Sequence, residues 1–232
     1  MPILTPLQRS LLIEIGRSPL GQDLFLSGGT ALAAFYLRHR YSLDLDFFTT
    51  NPAALAQVPV VMQDIAARLG AQVTFTRTLG TFLECFVHSP GGDRTELDFA
   101  QDNPYRLEPT RYHAELGIHI DNPTDIACNK LSALFDRAEP KDFVDVYFVA
   151  REIHPFEQLV TLTRRKHLGL DDYWLAVALA RVEQVELLPR MIKPLSLPEL
   201  KAFFLERAKE LMDKIERPPF GTGTSSPSIE HR

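Results

Sequence analysis

Cysteine is scarce in this chain, and long apolar runs are missing from it. The two cysteines, Cys85 and Cys128, lie far apart in apolar surroundings and in no metal-ligand spacing. This pattern argues against a disulfide framework or a thiolate zinc site and fits a reducing cytoplasm, where we expect the protein to act. No apolar stretch approaches the roughly 20 residues of a bilayer span. Polar residues interrupt the leucines of segment 1–17, so we expect no signal peptide there.

An excess of positive charge is also missing. The formal net charge of −5 argues against a protein that binds nucleic acid with its whole surface. Positive residues nevertheless cluster at Arg38–Arg40, at Arg164–His167 and, more loosely, from Arg190 to Lys201. Each cluster has two interpretations, a solvated face or a local phosphate-binding groove, and the charge pattern leaves both open.

Three familiar motifs are absent. Gly28-Gly29 lacks the third glycine of a dinucleotide-binding fingerprint, and Ser27 lacks the Gly-x-Ser-x-Gly elbow of a hydrolase nucleophile. His113 and His119 stand among turn-like residues, without the tight spacing of a zinc pair. The sequence therefore gives no support for a dehydrogenase, a serine hydrolase or a zinc site.

A strand, a tight turn, a helix and a second strand are predicted between residues 24 and 48. The first strand ends at Gly28-Gly29, and helical spacing begins at Thr30, so the backbone N–H groups at the helix start form an anion site. The segment Leu43–Phe48 alternates like a strand, which places Asp44 and Asp46 on one face, roughly 6.5–7 Å apart at the backbone. This arrangement favours a site for a divalent cation and phosphate.

A third carboxylate is predicted from an antiparallel meander of three strands. The strands are Gln72–Thr78, Thr81–His88 and Arg94–Ala100, with turn residues between them. Glu96 and Asp98 share one face of the last strand, and a neighbouring position in the sheet would bring Asp98 beside Asp44 and Asp46. Two-metal chemistry needs such a rigid set of acids. The alternative for Asp98 is an ordinary exposed strand acid.

The pattern changes to helices after residue 120. We predict helices at Ile126–Ala138 with Thr124 as N-cap, and at Asp142–Arg151, Pro155–His167, Asp171–Glu186 and Leu197–Arg217, in addition to an N-terminal helix at 5–17. The predicted fold class is α+β, a mixed sheet with flanking helices followed by a helical bundle. We assign residues 1–120 to the sheet domain, 121–217 to the helical domain and 218–232 to a disordered tail.

Four motifs in this order resemble the AbiEii/AbiGii toxin-type nucleotidyltransferase family, within the DNA polymerase β-like superfamily. The motifs are Phe25-Leu-Ser-Gly-Gly-Thr-Ala-Leu32, Arg40-Tyr-Ser-Leu-Asp-Leu-Asp-Phe-Phe48, Glu96-Leu-Asp-Phe99, and Lys130-Leu-Ser-Ala-Leu-Phe-Asp-Arg137 with Lys141-Asp-Phe-Val-Asp145. The resemblance covers residues 20–150 and is specific as a combination. It implies a nucleotidyltransferase core.

The resemblance also implies roles for particular residues. Gly28, Gly29 and Thr30 would hold a nucleoside triphosphate, although the wider superfamily has serine where this chain has Gly29. Mg²⁺ or Mn²⁺ would be bound by Asp44 and Asp46, and Asp98 would complete the metal site or act as a base. Arg40 would neutralise phosphate or orient Asp44.

The predicted helix from residue 126 adds the remaining candidates. Lys130 resembles the family's nucleotide-contacting lysine and lies two helical turns before Arg137, on the same face. Asp145 and Asp142 are i, i+3 neighbours that could order Lys130 or Arg137. We assign Lys130, Arg137 and Asp145 to the nucleotide site, and Lys130 also to the catalytic set with Asp44, Asp46 and Asp98. The alternative is a salt-bridge network between helices.

The expected function is metal-dependent transfer of a nucleoside monophosphate from an NTP to an acceptor hydroxyl, with release of pyrophosphate. The resemblance implies the toxin of a bacterial toxin–antitoxin or phage-defence system, an antitoxin encoded nearby, and RNA, such as a tRNA 3′ end, as acceptor. Two alternatives stay open: a nucleotide-binding regulatory module without turnover, and a transferase that modifies a protein or a small molecule.

Overall fold

The computed structural model describes residues 3–216, so the predicted disordered tail lies outside the described residues. Within that range a mixed sheet carries seven strands in the order β3-β4-β5-β2-β1-β7-β6. The strands are β1 (Phe25–Ser27), β2 (Asp44–Thr49), β3 (Gln72–Leu79), β4 (Phe82–His88), β5 (Arg94–Gln101), β6 (Arg111–His113) and β7 (Ile118–Ile120). The predicted α+β class with a mixed sheet is confirmed.

Helices flank this sheet and make up most of the second half. They are α1 (Pro6–Arg17), α2 (Gly28–Ala31) continued by a π-helical turn (Leu32–Leu37), α3 (Pro52–Arg68), α4 (Pro123–Arg137), α5 (Pro140–Glu152), α6 (Phe156–Lys166), α7 (Asp172–Ala180) and α8 (Leu197–Glu216). One hydrophobic core includes buried residues from α1 through α8. The division into two domains therefore stays a prediction.

The N-terminal helix and the meander form as the sequence predicts. Thr5 caps α1, its side chain accepting from the Gln8 N–H while the Gln8 side chain accepts from the Thr5 N–H. Strands β3, β4 and β5 pair antiparallel in sequence order.

The strand order places β2 in parallel beside β5, and this pairing sets the position of the acids. Asp44 lies opposite Glu96, and Asp46 lies opposite Asp98. The other face of the same two strands is apolar and buried, with the Phe47 and Phe99 rings stacked at a centroid separation of 5.3 Å. Because successive strand residues alternate, burial of the phenylalanines holds the acids together on the opposite face.

Three predictions about local structure are wrong. The N-cap of α4 is Asn122, not Thr124: Asn122 accepts from the Asp125 N–H, while the Thr124 hydroxyl turns to Glu108. The helix predicted for 171–186 ends at Ala180 and continues only as a 3₁₀ turn, Arg181–Gln184. His113 and His119 lie on the short strands β6 and β7 rather than in turns.

None of the helices between residues 3 and 216 is long and apolar enough to cross a lipid bilayer.

Candidate active site

The glycine turn between β1 and α2 is shaped around a carboxylate. Gly28 has a φ of +69°, and a Cβ there would lie 1.9 Å from Asp46 Oδ2, so only glycine fits. The Gly29 N–H donates to the Asp46 carboxylate. A Cβ at Gly29 would lie 2.4 Å from Arg40 Nη2, which gives a local reason for glycine where the wider superfamily has serine. The turn thus brings backbone donors close to both the acids and the cations of the site.

Five acidic side chains project from one face of three neighbouring strands, and we call this set the acidic face. β2 contributes two acids and β5 two, and the fifth comes from β4, where Glu84 pairs in register with Asp98. Carboxylate oxygens of Glu84, Glu96 and Asp98 lie within 4.8 Å of one another. The members of the acidic face are Asp44, Asp46, Glu84, Glu96 and Asp98.

The crowding of the acidic face disfavours the ionised carboxylates. Burial, reinforced by the charge of Asp44, raises the pKa of Asp46 to about 6. Burial, followed by the charges of Asp46, Glu96 and Glu84, raises the pKa of Asp98 to about 7. The Oδ1 atom of Asp98 is buried and has no hydrogen-bond partner among residues 3–216. A divalent cation bound at this unpaired oxygen would offset the repulsion between the neighbouring carboxylates.

The donor set therefore fits a hard cation such as Mg²⁺ or Mn²⁺, which prefer carboxylate oxygens. The predicted ligands Asp44, Asp46 and Asp98 share this face, but the three carboxylates whose oxygens lie within 4.8 Å of one another are those of Glu84, Glu96 and Asp98. A bound ion would thus have more carboxylates within reach than the predicted three. The predicted ligand set remains a prediction.

A second centre lies against Gly29, and we call it the Asp145 cluster: His39, Arg40, Lys130 and Asp145. The Arg40 guanidinium donates to both Asp145 oxygens, at 2.7 and 2.8 Å. Lys130 Nζ lies 2.9 Å from Asp145 Oδ2, and His39 Nε2 lies 2.7 Å from Asp145 Oδ1. The Asp145 side chain is fully buried, so all of its partners come from the protein.

Three partners decide the charge states in the Asp145 cluster. Burial alone would raise the pKa of Asp145, but Lys130, Arg40 and His39 together hold that pKa well below its ordinary value. Burial alone would lower the pKa of Lys130, and the adjacent Asp145 raises it instead. Burial lowers the pKa of His39 despite its bond to Asp145, which favours the neutral imidazole. Because an ionised Asp145 can only accept, Nε2 of His39 is the donor in their contact.

A short relay of hydrogen bonds connects the two centres. Arg40 Nη1 lies 3.3 Å from the Ser42 hydroxyl, which in turn donates to Asp44 Oδ1 at 2.9 Å. The Thr30 hydroxyl donates to the backbone carbonyl of Asp44. Arg40, Ser42 and Thr30 therefore hold the first acid of β2 in place, and the hydroxyl of Thr30 already has a partner within the protein.

Arg137 is placed by a partner of its own. Its guanidinium donates to both oxygens of the buried Asp142, at 2.7 and 2.9 Å.

Among the predicted basic clusters, Lys166 bonds Asp125 at 2.6 Å and Arg164 pairs with Asp172. Much of the positive charge between 164 and 167 is thus engaged in structural ion pairs rather than free for phosphate.

Sequence reasoning missed three polar residues next to this site. His39 and Ser42 lie in an irregular turn, where no periodicity indicates their direction. Glu84 alternates with the buried Leu83 and Cys85, which is a usable signal, but its pairing with Asp98 depends on a strand register that one sequence does not give.

Comparison with known proteins identifies a family for this chain. The family model described as "Nucleotidyl transferase AbiEii toxin, Type IV TA system" matches residues 10–227. An uncharacterised protein of Aquifex aeolicus (strain VF5) is 29% identical over 210 residues, which cover 89% of this chain and 96% of that protein.

Two solved structures share the fold at low sequence identity. The structure of JHP933 from Helicobacter pylori is 19% identical, with a TM-score of 0.58 and coverage of 90% of each chain. The nucleotidyltransferase toxin MenT4 from Mycobacterium tuberculosis is 18% identical, with a TM-score of 0.55 and coverage of 89% of this chain and 82% of that one. The fold, the four motifs and the match over residues 10–227 lead to one conclusion: this chain belongs to the AbiEii family of nucleotidyltransferase toxins.

Proposed function

We propose that this protein transfers a nucleoside monophosphate from an NTP to a hydroxyl of an RNA acceptor in a reaction that depends on Mg²⁺ or Mn²⁺. The observation that carries the proposal is the pairing of Asp46 with Asp98 beside the glycine turn. Acids, backbone donors and Lys130 converge there from three separate parts of the chain. Such convergence matches the needs of phosphoryl chemistry, in which positioning and charge neutralisation supply most of the rate.

Each part of the site has a role in the proposed reaction. The acceptor oxygen attacks the α-phosphorus of the NTP in line, a new O–P bond forms, and the bond from that phosphorus to the bridging oxygen breaks to release pyrophosphate. The unpaired oxygen of Asp98 takes the proton of the attacking hydroxyl. The glycine turn from Gly28 to Thr30, together with Lys130, binds the triphosphate. A divalent ion held by Asp44, Asp46 and Asp98 would neutralise charge on the phosphate oxygens.

We also propose that the protein is the toxin of a two-gene system with a nearby antitoxin, acting in the cytoplasm. The family description, with its reference to a type IV toxin–antitoxin system, supports this role. The expected acceptor is a tRNA 3′ end, as in some members of the family.

The deciding experiment is a label-transfer assay with purified protein. Each labelled NTP is incubated with Mg²⁺ and total RNA, and the products are separated by size. We expect label in RNA with the parent and with Asp64→Asn, an exposed acid on α3, and none with Asp44→Asn. Label in protein or in a small molecule would favour the alternative acceptors. NTP binding without any transfer would favour a regulatory module and contradict the proposal.

A further inference from the structure

A cavity of about 880 Å³ opens beside the acidic face, and the reaction described above does not use most of its lining. Its walls come from the start of α1, the turn before β2, the neighbouring parts of β4 and β5, and the segment around Pro189. Asp44 and Glu96, the acids nearest the N-terminal ends of β2 and β5, also line it. A molecule bound in the cavity would therefore lie next to the acidic face.

Two arginine–aromatic stacks line this cavity. The Arg190 guanidinium carbon lies 4.3 Å from the centroid of the Tyr41 ring, and that of Arg94 lies 3.8 Å from the centroid of the Phe86 ring. Neither guanidinium has an ion-pair partner among residues 3–216. Aromatic rings and guanidinium planes are the surfaces on which proteins stack unpaired nucleobases.

Several other lining residues are apolar, and they narrow the class of ligand. Ile3, Leu4, Pro6 and Pro189 line the cavity, and Leu43, 72% exposed, lies directly before Asp44. A simple polyanion would gain nothing from contact with the apolar walls. A purely apolar ligand would remove water from two guanidinium groups that have no ion-pair partner among the described residues, which is unfavourable. A flat heterocycle joined to phosphate satisfies both the apolar walls and the cations.

The stack on Tyr41 is held in place by backbone pairing between distant segments. The Tyr41 N–H donates to the Arg190 carbonyl at 2.9 Å, and Arg40 forms an isolated β-bridge with Met191. The N–H groups of Ile192 and Lys193 both donate to the His39 carbonyl. Segment 190–193 is thus fixed against segment 39–41, so this wall exists before any ligand binds, and preorganisation of this kind favours affinity.

We propose that the cavity binds a nucleotide unit, with its base stacked between the Tyr41–Arg190 and Phe86–Arg94 pairs. The unit has two possible sources, the incoming NTP and the terminal nucleotide of the RNA acceptor, and both present the same base and phosphate chemistry. This inference rests on the proposed function for the identity of the ligand, but the binding it describes is measurable without any turnover.

The test is binding in EDTA, which prevents transfer, with two probes: a fluorescent NTP and a short single-stranded oligoribonucleotide labelled at its 5′ end. The variants are Tyr41→Leu and Arg190→Gln. Tyr41→Phe keeps the ring, and Tyr112→Leu and Arg77→Gln are matched controls at exposed positions away from the cavity. We expect Tyr41→Leu and Arg190→Gln each to weaken binding of one probe about tenfold or more, the loss expected when one stacked base loses its platform. The other three variants should bind like the parent.

Weaker binding of the NTP alone identifies the incoming nucleotide as the occupant, and weaker binding of the RNA alone identifies the acceptor. Unchanged binding of both probes by Tyr41→Leu and Arg190→Gln, or equal losses in the control variants, overturns the proposal. Thermal melts that match the parent show that the variants are folded. This test can fail independently of the proposed function. If the parent transfers label but the variants bind both probes normally, only the proposal for the cavity is contradicted. If the variants lose binding but the parent transfers no label, only the proposed reaction is contradicted.

Discussion

The acidic face and the Asp145 cluster meet at Gly29 and are built in opposite ways. On the acidic face, five carboxylates share one surface and the pKa values of Asp46 and Asp98 rise to about 6 and about 7. In the Asp145 cluster one buried carboxylate has three nitrogen-bearing partners, and its pKa falls well below the ordinary value. On the acidic face repulsion and burial disfavour the ionised carboxylates, whereas Lys130, Arg40 and His39 stabilise the ionised carboxylate of Asp145.

From this difference we infer that the Asp145 cluster stabilises the fold, whereas the acidic face is suited to binding a ligand. A buried carboxylate whose oxygens are all engaged by the protein has no capacity left for an external ion, so it contributes to folding and positioning. Carboxylates that repel one another disfavour the folded state without a ligand, and proteins tend to keep such arrangements where function requires them. The comparison can be tested by treating stability and activity as separate measurements.

Asp98→Asn should give the largest effect, a loss of label transfer of at least about 10³-fold, because it removes a carboxylate from the centre of the acidic face. Its melting temperature should equal or exceed that of the parent, since one of several like charges is gone. Asp64→Asn is the control for a remote acid. If Asp98→Asn melts well below the parent, the acidic face stabilises the fold, and its contrast with the Asp145 cluster is wrong.

Asp145→Asn should show the opposite pattern to Asp98→Asn, with a loss of folding stability as its main effect. Removing this carboxylate leaves Arg40 and Lys130 buried without their shared partner, which should lower the free energy of unfolding by about 3–5 kcal/mol. Urea denaturation measures the change. Asp136→Asn, an exposed acid on α4, should stay within about 0.5 kcal/mol of the parent. If Asp145→Asn were as stable as Asp136→Asn, the Asp145 cluster would not be what holds α4 and α5 to the turn before β2.

A divalent ion should stabilise the acidic face and leave the Asp145 cluster unaffected. At a concentration of Mg²⁺ or Mn²⁺ about 100 times its dissociation constant, the expected gain is about 2.7 kcal/mol, which corresponds to roughly 5–11 °C in a chain of this size. The shift should disappear in EDTA and shrink strongly in Asp98→Asn, while Asp136→Asn should keep it. An equal shift in Asp98→Asn would place the ion elsewhere.

Much of the fold could be predicted from the sequence, because its elements are long and strongly patterned. Alternation in Leu43–Phe48 put Asp44 and Asp46 on one face, and turn residues separated the meander strands. The strands β6 and β7 have three residues each, too few for a period of two to be visible. The N-cap of α4 was misassigned since Asn122 and Thr124 both suit the role, and only tertiary contacts decide between them.

The site was less predictable than the fold for a physical reason. Its parts are brought together by contacts far apart in sequence, such as His39 with Asp145 across 106 positions. Sequence spacing suggested that Asp145 and Asp142 order Lys130 and Arg137, and each acid does bond one of those cations. Register between strands, which brings Glu84 to Asp98, is set by the packed sheet and leaves no local signal.

The smallest expected effect concerns acid pH, and it tests the sign of the Asp145 shift. The folded pKa of Asp145 lies well below 3.8, so its contribution to stability is fully present above about pH 4 and is lost as pH falls toward the folded pKa. The difference in unfolding free energy between the parent and Asp145→Asn should therefore shrink by about 1 kcal/mol at about pH 3, since asparagine does not titrate there. Urea titrations of both proteins at about pH 7 and about pH 3 measure it. A constant difference would mean that the charge of Asp145 is not what binds the three cluster partners, whereas a difference that shrinks would show that this carboxylate, unlike those of the acidic face, is held ionised by the fold itself.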